Sequence, residues 1–133
     1  MTDTLGLILE VRVHAADIQD HAGAKDLLLR LKTTHWRLKK IWADERYRGT
    51  LIDWVHNLRQ GRGHRRIELE IVAKTAVGKF VVLPKRWIVE RTFAWFGKWR
   101  RLSKDYEALC ETTETWTLIA MIYLMTRRLA LRQ

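Results

Sequence analysis

The chain switches between two hydrophobic periods, and that switching limits its folds more than any other feature. Leu7, Leu9, Val11 and Val13 alternate with Ile8, Glu10, Arg12 and His14, the period-two pattern of a strand over residues 5–15. The Thr4-Leu5-Gly6 piece at its start has turn chemistry, with Gly6 able to take a positive φ. Ile67, Leu69, Ile71 and Ala73 alternate in the same way with Glu68, Glu70, Val72 and Lys74. Between these runs the period becomes helical. Leu27, Leu28 and Leu31 form one stripe of a helix predicted over residues 23–33, and Leu51, Ile52, Val55 and Leu58 face inward from another over 50–59. A short strand over 38–43 separates the two helices and delivers Asp44 to its C-terminal end. Beyond the last strand, Pro84 suits the first turn of a helix running to about Ser103. A final helix, capped by Thr112 or Thr113, reaches Leu129 with Trp116, Ile119, Ala120, Tyr123 and Leu124 inward. Strand, helix, strand, helix, strand and two helices place the chain in the α/β class.

Length and charge narrow the reading. At 133 residues the chain is one domain's worth, enough for a sizeable core. Its 25 Lys and Arg against 15 Asp and Glu leave a formal charge of +10, which points to a polyanionic partner, nucleic acid first. The single Cys110 excludes an internal disulfide and a Cys-cluster zinc site, as expected in a reducing cytoplasm. The start of the chain is polar and acid-containing, so no secretory signal is expected, and the apolar run 116–125 is too short to cross a bilayer. The five histidines show no metal-ligand spacing.

The most unusual stretch is residues 87–107, WIVERTFAWFGKWRRLSKDYE. Its early part carries one acid, Glu90, among bases and rings. On a helix, Arg86, Glu90, Ala94, Gly97 and Arg101 share one stripe. That stripe sets a carboxylate among small residues, open to a large anion while the carboxylate holds a metal ion. The plainer alternative, favoured by physics alone, is a solvated basic helix whose acid pairs with Arg86 or Lys98. Asp44 has a similar plain alternative as a helix N-cap or turn residue. Trp87, Trp95 and Trp99 fall at helical spacing and read as core, and the basic glycine-containing run from Gln60 to Arg66 reads as a solvated turn.

The same stretch resembles the C-terminal signature of bacterial insertion-sequence transposases of the DDE superfamily, the group numbered four and five, in which VERTFAW carries the catalytic glutamate. Two further segments agree in order: MTDTLGLILEVRVHAADIQD resembles the block with the first aspartate, and IWADERYRG the block with the second. The resemblance implies a ribonuclease H-like mixed sheet flanked by helices, here lacking its first strand, over residues 1–133. The end-recognition region of such proteins is absent from this sequence. Asp3, Asp44 and Glu90 are then the catalytic, metal-binding acids, holding two Mg2+ (or Mn2+) ions roughly 4 Å apart. Asp3, two residues from the start of the chain, is expected to be loosely held, with Asp44 and Glu90 near each other. Arg86 matches the arginine of the family's tyrosine-arginine-glutamate-lysine signature. Leu83 and Gly97 occupy its tyrosine and lysine positions, and Lys98 follows one residue late. Glu45-Arg46 stands where the family usually has two glycines, a bulky pair that crowds the approach of DNA.

The implied activity is metal-dependent cleavage and strand transfer at insertion-sequence ends, with Arg86, Arg91, Lys98, Arg100, Arg101 and Lys104 contacting DNA. The implied partners are element-end and target DNA, and either another copy of the chain or the product of an upstream reading frame. The alternative is a catalytically inactive fragment that binds DNA or modulates a full-length transposase.

Overall fold

The computed structural model describes residues 1–60, 65–72, 85–104 and 106–131. Among them are four α-helices, a two-stranded parallel sheet and a short antiparallel hairpin, a mixed α/β architecture. The chain divides into two compact units: Ala16–Trp87, and Met1–Ala15 with Ile88–Gln133.

The unit Ala16–Trp87 follows the sequence pattern closely. Helix α1 (Asp20–Thr34) buries Leu28 and Leu31 and half-buries Leu27. Strand β1 (Lys40–Asp44) runs parallel to β4 (Glu68–Val72), with Lys40 opposite Glu68 and Asp44 opposite Val72. Parallel neighbours need a long crossover. Here it holds α2 (Thr50–Asn57) and the hairpin of β2 (Arg59–Gln60) with β3 (Arg65–Arg66). Leu51 and Val55 of α2 are buried, as are Ile41 of β1 and Leu58 and Ile67 on either side of the hairpin. On the polar side of β4, Glu68 and Glu70 both meet the Lys40 ammonium, at 2.8 and 2.6 Å. The expected basic turn is thus partly hairpin: its flanks pair, and residues 61–64 lie outside the described residues, as do 73–84 with Pro84.

In the second unit the structure corrects three expectations. No strand forms over residues 5–15; an isolated antiparallel bridge joins Thr2 to Ile8 instead. Alternation marks residues able to line a strand, but a strand also needs a backbone partner, and residues 10–15 are tied down differently. The Val13 N–H donates to Glu114 Oε1 at 2.9 Å, and the Arg12 guanidinium pairs with the same carboxylate. Next, α3 (Arg86–Phe96) stops well short of Ser103. Gly97 disfavours helix continuation, and the amides of Lys98 and Trp99 bond three residues back, tightening the last turn before a 3-10 turn at Arg100–Leu102. The predicted stripe therefore keeps Arg86, Glu90 and Ala94 on α3 and loses Gly97 and Arg101.

Third, α4 (Cys110–Ala130) begins before either threonine and has no side-chain N-cap. It buries Thr117, Ala120 and Met121, whereas Ile119 and Tyr123 are 42% and 54% exposed. A helix apolar nearly all round does not select its own stripe by periodicity. Packing selects it: Ala120 and Met121 meet Phe96, with Leu7, Ile8, Trp99, Leu102, Leu124 and Met125 around them. Trp99 stands edge-on to Tyr123 at 5.3 Å, half-buried like Trp95, while Trp87 is largely exposed.

Candidate active site

Asp44 closes β1, so the parallel ladder itself carries its carboxylate to the C-terminal strand end, where ligands of open α/β sheets collect. Its side chain also does what the plainer reading expected. Oδ1 accepts the Arg46 N–H at 3.0 Å and caps the 3-10 turn Glu45–Tyr47. The bulky pair after Asp44 is engaged locally, with Glu45 3.5 Å from the Arg48 guanidinium. Tyr47 stands edge-on to His21, ring centroids 6.1 Å apart. Burial pushes the Tyr47 phenol above its ordinary range, and the carboxylates of Asp20 and Asp44 add to that shift.

Asp3 is firmly held, contrary to the expectation for a residue beside a chain end. Its Oδ1 accepts the N–H groups of Leu5 and Leu7, each at 2.8 Å. Its own N–H donates to Leu7 O at 2.8 Å, and its carbonyl accepts Gly6 N–H at 3.1 Å. The Met1 ammonium donates to Glu10 O at 2.7 Å, and its burial lowers that amine's pKa. A carboxylate that folds its own backbone into a turn makes local bonds the sequence pattern does not announce. Gly6, expected as the turn residue able to take a positive φ, has φ +80.

This turn rests on α3 at the residues following Glu90. The Arg91 guanidinium donates to Leu5 O at 2.9 Å, and the buried Thr92 hydroxyl donates to Gly6 O at 2.8 Å. The same unit thus carries Asp3 on its turn and Glu90 on the exposed face of the helix beneath it. Neither Thr92 nor Gly6 stood out as a site residue. The available signal was a lone hydroxyl among apolar neighbours in mid-helix.

The donor chemistry fits divalent magnesium or manganese: all three acids offer hard carboxylate oxygens. Oδ2 of Asp3 and Oδ2 of Asp44 take no partner among the described residues. Within either unit taken alone, the described residues include no group of three or more His, Cys, Asp or Glu placed to share an ion.

The six bases expected to contact DNA divide into groups. Lys98, Arg100 and Lys104 are exposed on the segment after α3. Arg101 is also exposed, paired with Glu107 at 2.7 Å and lying over the Trp116 ring at 5.1 Å. Arg91 is committed inward: besides Leu5 it lies over Trp95 at 5.0 Å, with Arg128 over the same ring at 4.4 Å. Arg86 opens α3, and its side chain lies outside the described residues. No helix among the described residues is long and apolar enough to cross a membrane.

Among protein-family models, one described as "Transposase DDE domain" matches residues 1–125. No curated protein and no solved structure matches the chain significantly.

Proposed function

The chain belongs to the transposase DDE domain family, and on that premise we propose that it is the catalytic part of an insertion-sequence transposase of the four/five group. Residues 1–133 then form one ribonuclease H-like catalytic domain working in the cytoplasm, alone or with a second transposase chain. The observation that carries this reading is the family match itself, which spans all three acids in order. Two structural features support it: Asp44 at the C-terminal end of a parallel strand, and the Asp3 turn seated on the Glu90 helix.

In this reading Asp3, Asp44 and Glu90 together hold two Mg2+ or Mn2+ ions. Bound there, the metal would lower the pKa of a water or DNA 3′-hydroxyl and offset charge on the departing oxygen of the phosphodiester. The chain's own residues supply the rest. Asp3 and Asp44 each commit one carboxylate oxygen to backbone N–H groups, two at Asp3 and one at Asp44, which orients the other oxygen. Lys98, Arg100, Arg101 and Lys104, with Arg86, draw the DNA backbone in by sequence-independent charge. Asp44 caps its own turn, so the strand end stays fixed as DNA approaches.

The second reading, an inactive relative that binds DNA or modulates a longer transposase, draws on Glu45-Arg46, where the family pattern has small residues. Glu45 is already paired with Arg48. Manganese titration followed by NMR paramagnetic broadening separates the two, on wild type, Asp3→Asn, Asp44→Asn and Glu90→Gln. Catalytic function requires broadening centred on all three acids and weakened by each substitution. Broadening that ignores Asp3, or none that is localised, leaves the DNA-binding modulator.

A further inference from the structure

We propose that Thr92 is a positioning residue that sets the Asp3 carboxylate on the helix carrying Glu90; the inference rests on the metal-site reading above and deepens it. Thr92 is 3% exposed in mid-helix, a place where a threonine hydroxyl ordinarily satisfies itself on the carbonyl four residues back. It does reach Ile88 O, at 3.0 Å. The shorter bond leaves the helix altogether and goes to Gly6 O, 86 residues away in sequence, at 2.8 Å. One hydroxyl proton is thereby shared between the helix and the turn.

The position of Gly6 gives this bond its consequence. Gly6 sits between Leu5 and Leu7, whose two amides are the groups that grip Asp3 Oδ1. The Gly6 carbonyl and the Leu7 N–H belong to one planar peptide unit, so anchoring that carbonyl fixes the Leu7 amide directly and steadies the Leu5 amide through the rest of the turn. Fixed amides hold Oδ1, and with Oδ1 held the direction of Oδ2 follows. A second anchor falls one residue from Glu90, where Arg91 donates to Leu5 O. The approach is close enough to require glycine: a Cβ on Gly6 would lie 2.9 Å from Thr92 Oγ1 and 3.1 Å from the Trp95 ring. Metal sites need their ligands held to within a fraction of an ångström by a supporting shell, and Thr92 supplies part of that support for a carboxylate on a turn.

The test uses the full chain and two substitutions. Thr92→Val keeps the shape and removes the hydroxyl; Thr92→Ser keeps the hydroxyl. Three NMR quantities are read: amide exchange at Leu5 and Leu7, the Asp3 carboxyl 13C shift, and the manganese concentration that half-broadens the Asp3 signals. In Thr92→Val the two amides exchange about tenfold faster, the carboxyl shift moves, and the manganese midpoint at Asp3 rises about tenfold. Thr92→Ser stays within about twofold of wild type, since it restores the same hydrogen bond. Exchange at the Met121 amide, in the core of the same unit, stays unchanged and excludes general unfolding as the cause. Thr92→Val with wild-type exchange and midpoint overturns the proposal, as does equal loss in both variants, which would assign the effect to methyl packing. Wild-type protein without manganese broadening at Asp3 or Glu90 overturns the metal-site reading and the positioning role with it. The amide effect of Thr92→Val tells that failure apart from failure of the turn anchor itself.

Discussion

Replacing Gly6 by alanine tests whether the Asp3 turn is held by close packing against α3 or merely by its own hydrogen bonds. At φ +80 an L side chain carries a backbone cost of about 1–2 kcal/mol. The new methyl would also stand 2.9 Å from Thr92 Oγ1, 3.1 Å from the Trp95 ring and 3.2 Å from the Arg91 guanidinium, so at least one must move. Breaking the buried Thr92 bond to Gly6 O adds about 1–3 kcal/mol. Reduced freedom of the unfolded chain returns about 0.4–1 kcal/mol. The balance is a destabilisation of about 3 kcal/mol, which at a typical urea dependence lowers the unfolding midpoint by roughly 1–2 M. Urea unfolding followed by tryptophan fluorescence reads it, because Trp95 lies in the contact. Gly49→Ala is the comparison: it also has a positive φ, +109, but nothing lies within 4 Å of its added Cβ. It should lose only the backbone part less the same unfolded-state return, a net of about 1–2 kcal/mol. A Gly6→Ala midpoint within about 0.3 M of wild type, or equal losses at the two glycines, would refute the packing argument.

Other consequences follow from charge. The hydrogen bond from Lys40 holds the Glu70 carboxyl below its ordinary 4.5, and bonds to Glu68 and Glu70 hold the Lys40 ammonium above 10.5. The pair's contribution to stability is therefore present between these two limits, falling away as pH drops through the lowered Glu70 value or rises through the raised Lys40 value. Lys40→Met should return the Glu70 titration, read by carboxyl 13C NMR, toward 4.5, and an unmoved Glu70 midpoint would contradict the pairing. Removing the charge of Asp20 or Asp44 should lower the Tyr47 phenol toward 10.0, with burial keeping part of the rise; a Tyr47 ring-carbon titration checks the direction. Lys98→Gln, Arg100→Gln and Lys104→Gln should each reduce the log–log salt slope of DNA binding by about 0.7–0.9 without lowering stability. Arg91→Gln should instead lower stability by about 1–2 kcal/mol, because its guanidinium serves Leu5 O and the Trp95 ring. A full salt-slope loss at unchanged stability in Arg91→Gln would return that residue to the DNA-facing set.

The sequence alone determined what depends on local periodicity. The positions of α1, α2, β1 and β4 follow from spacing that one backbone geometry satisfies, and Asp44 at a strand end follows from β1. Gly6 as a turn residue was equally legible, since it follows a polar segment and precedes an alternating run. Family membership was legible as well, because three blocks of residue identity survive in order whatever the tertiary detail. Tertiary structure decided what local pattern leaves degenerate. Residues 5–15 alternate like a strand, yet a strand exists only where another backbone is in register. Helix α4 is apolar on most sides, so Phe96 and its neighbours, rather than α4 itself, chose which residues are buried. Arg91 and Lys98 look alike in sequence as bases near Glu90, and only the docking of the Asp3 turn turned one inward and left the other exposed. The hold on Asp3 was invisible for the same reason: its bonds depend on a turn whose seat is Thr92, a hydroxyl brought there by the fold across 86 residues of chain.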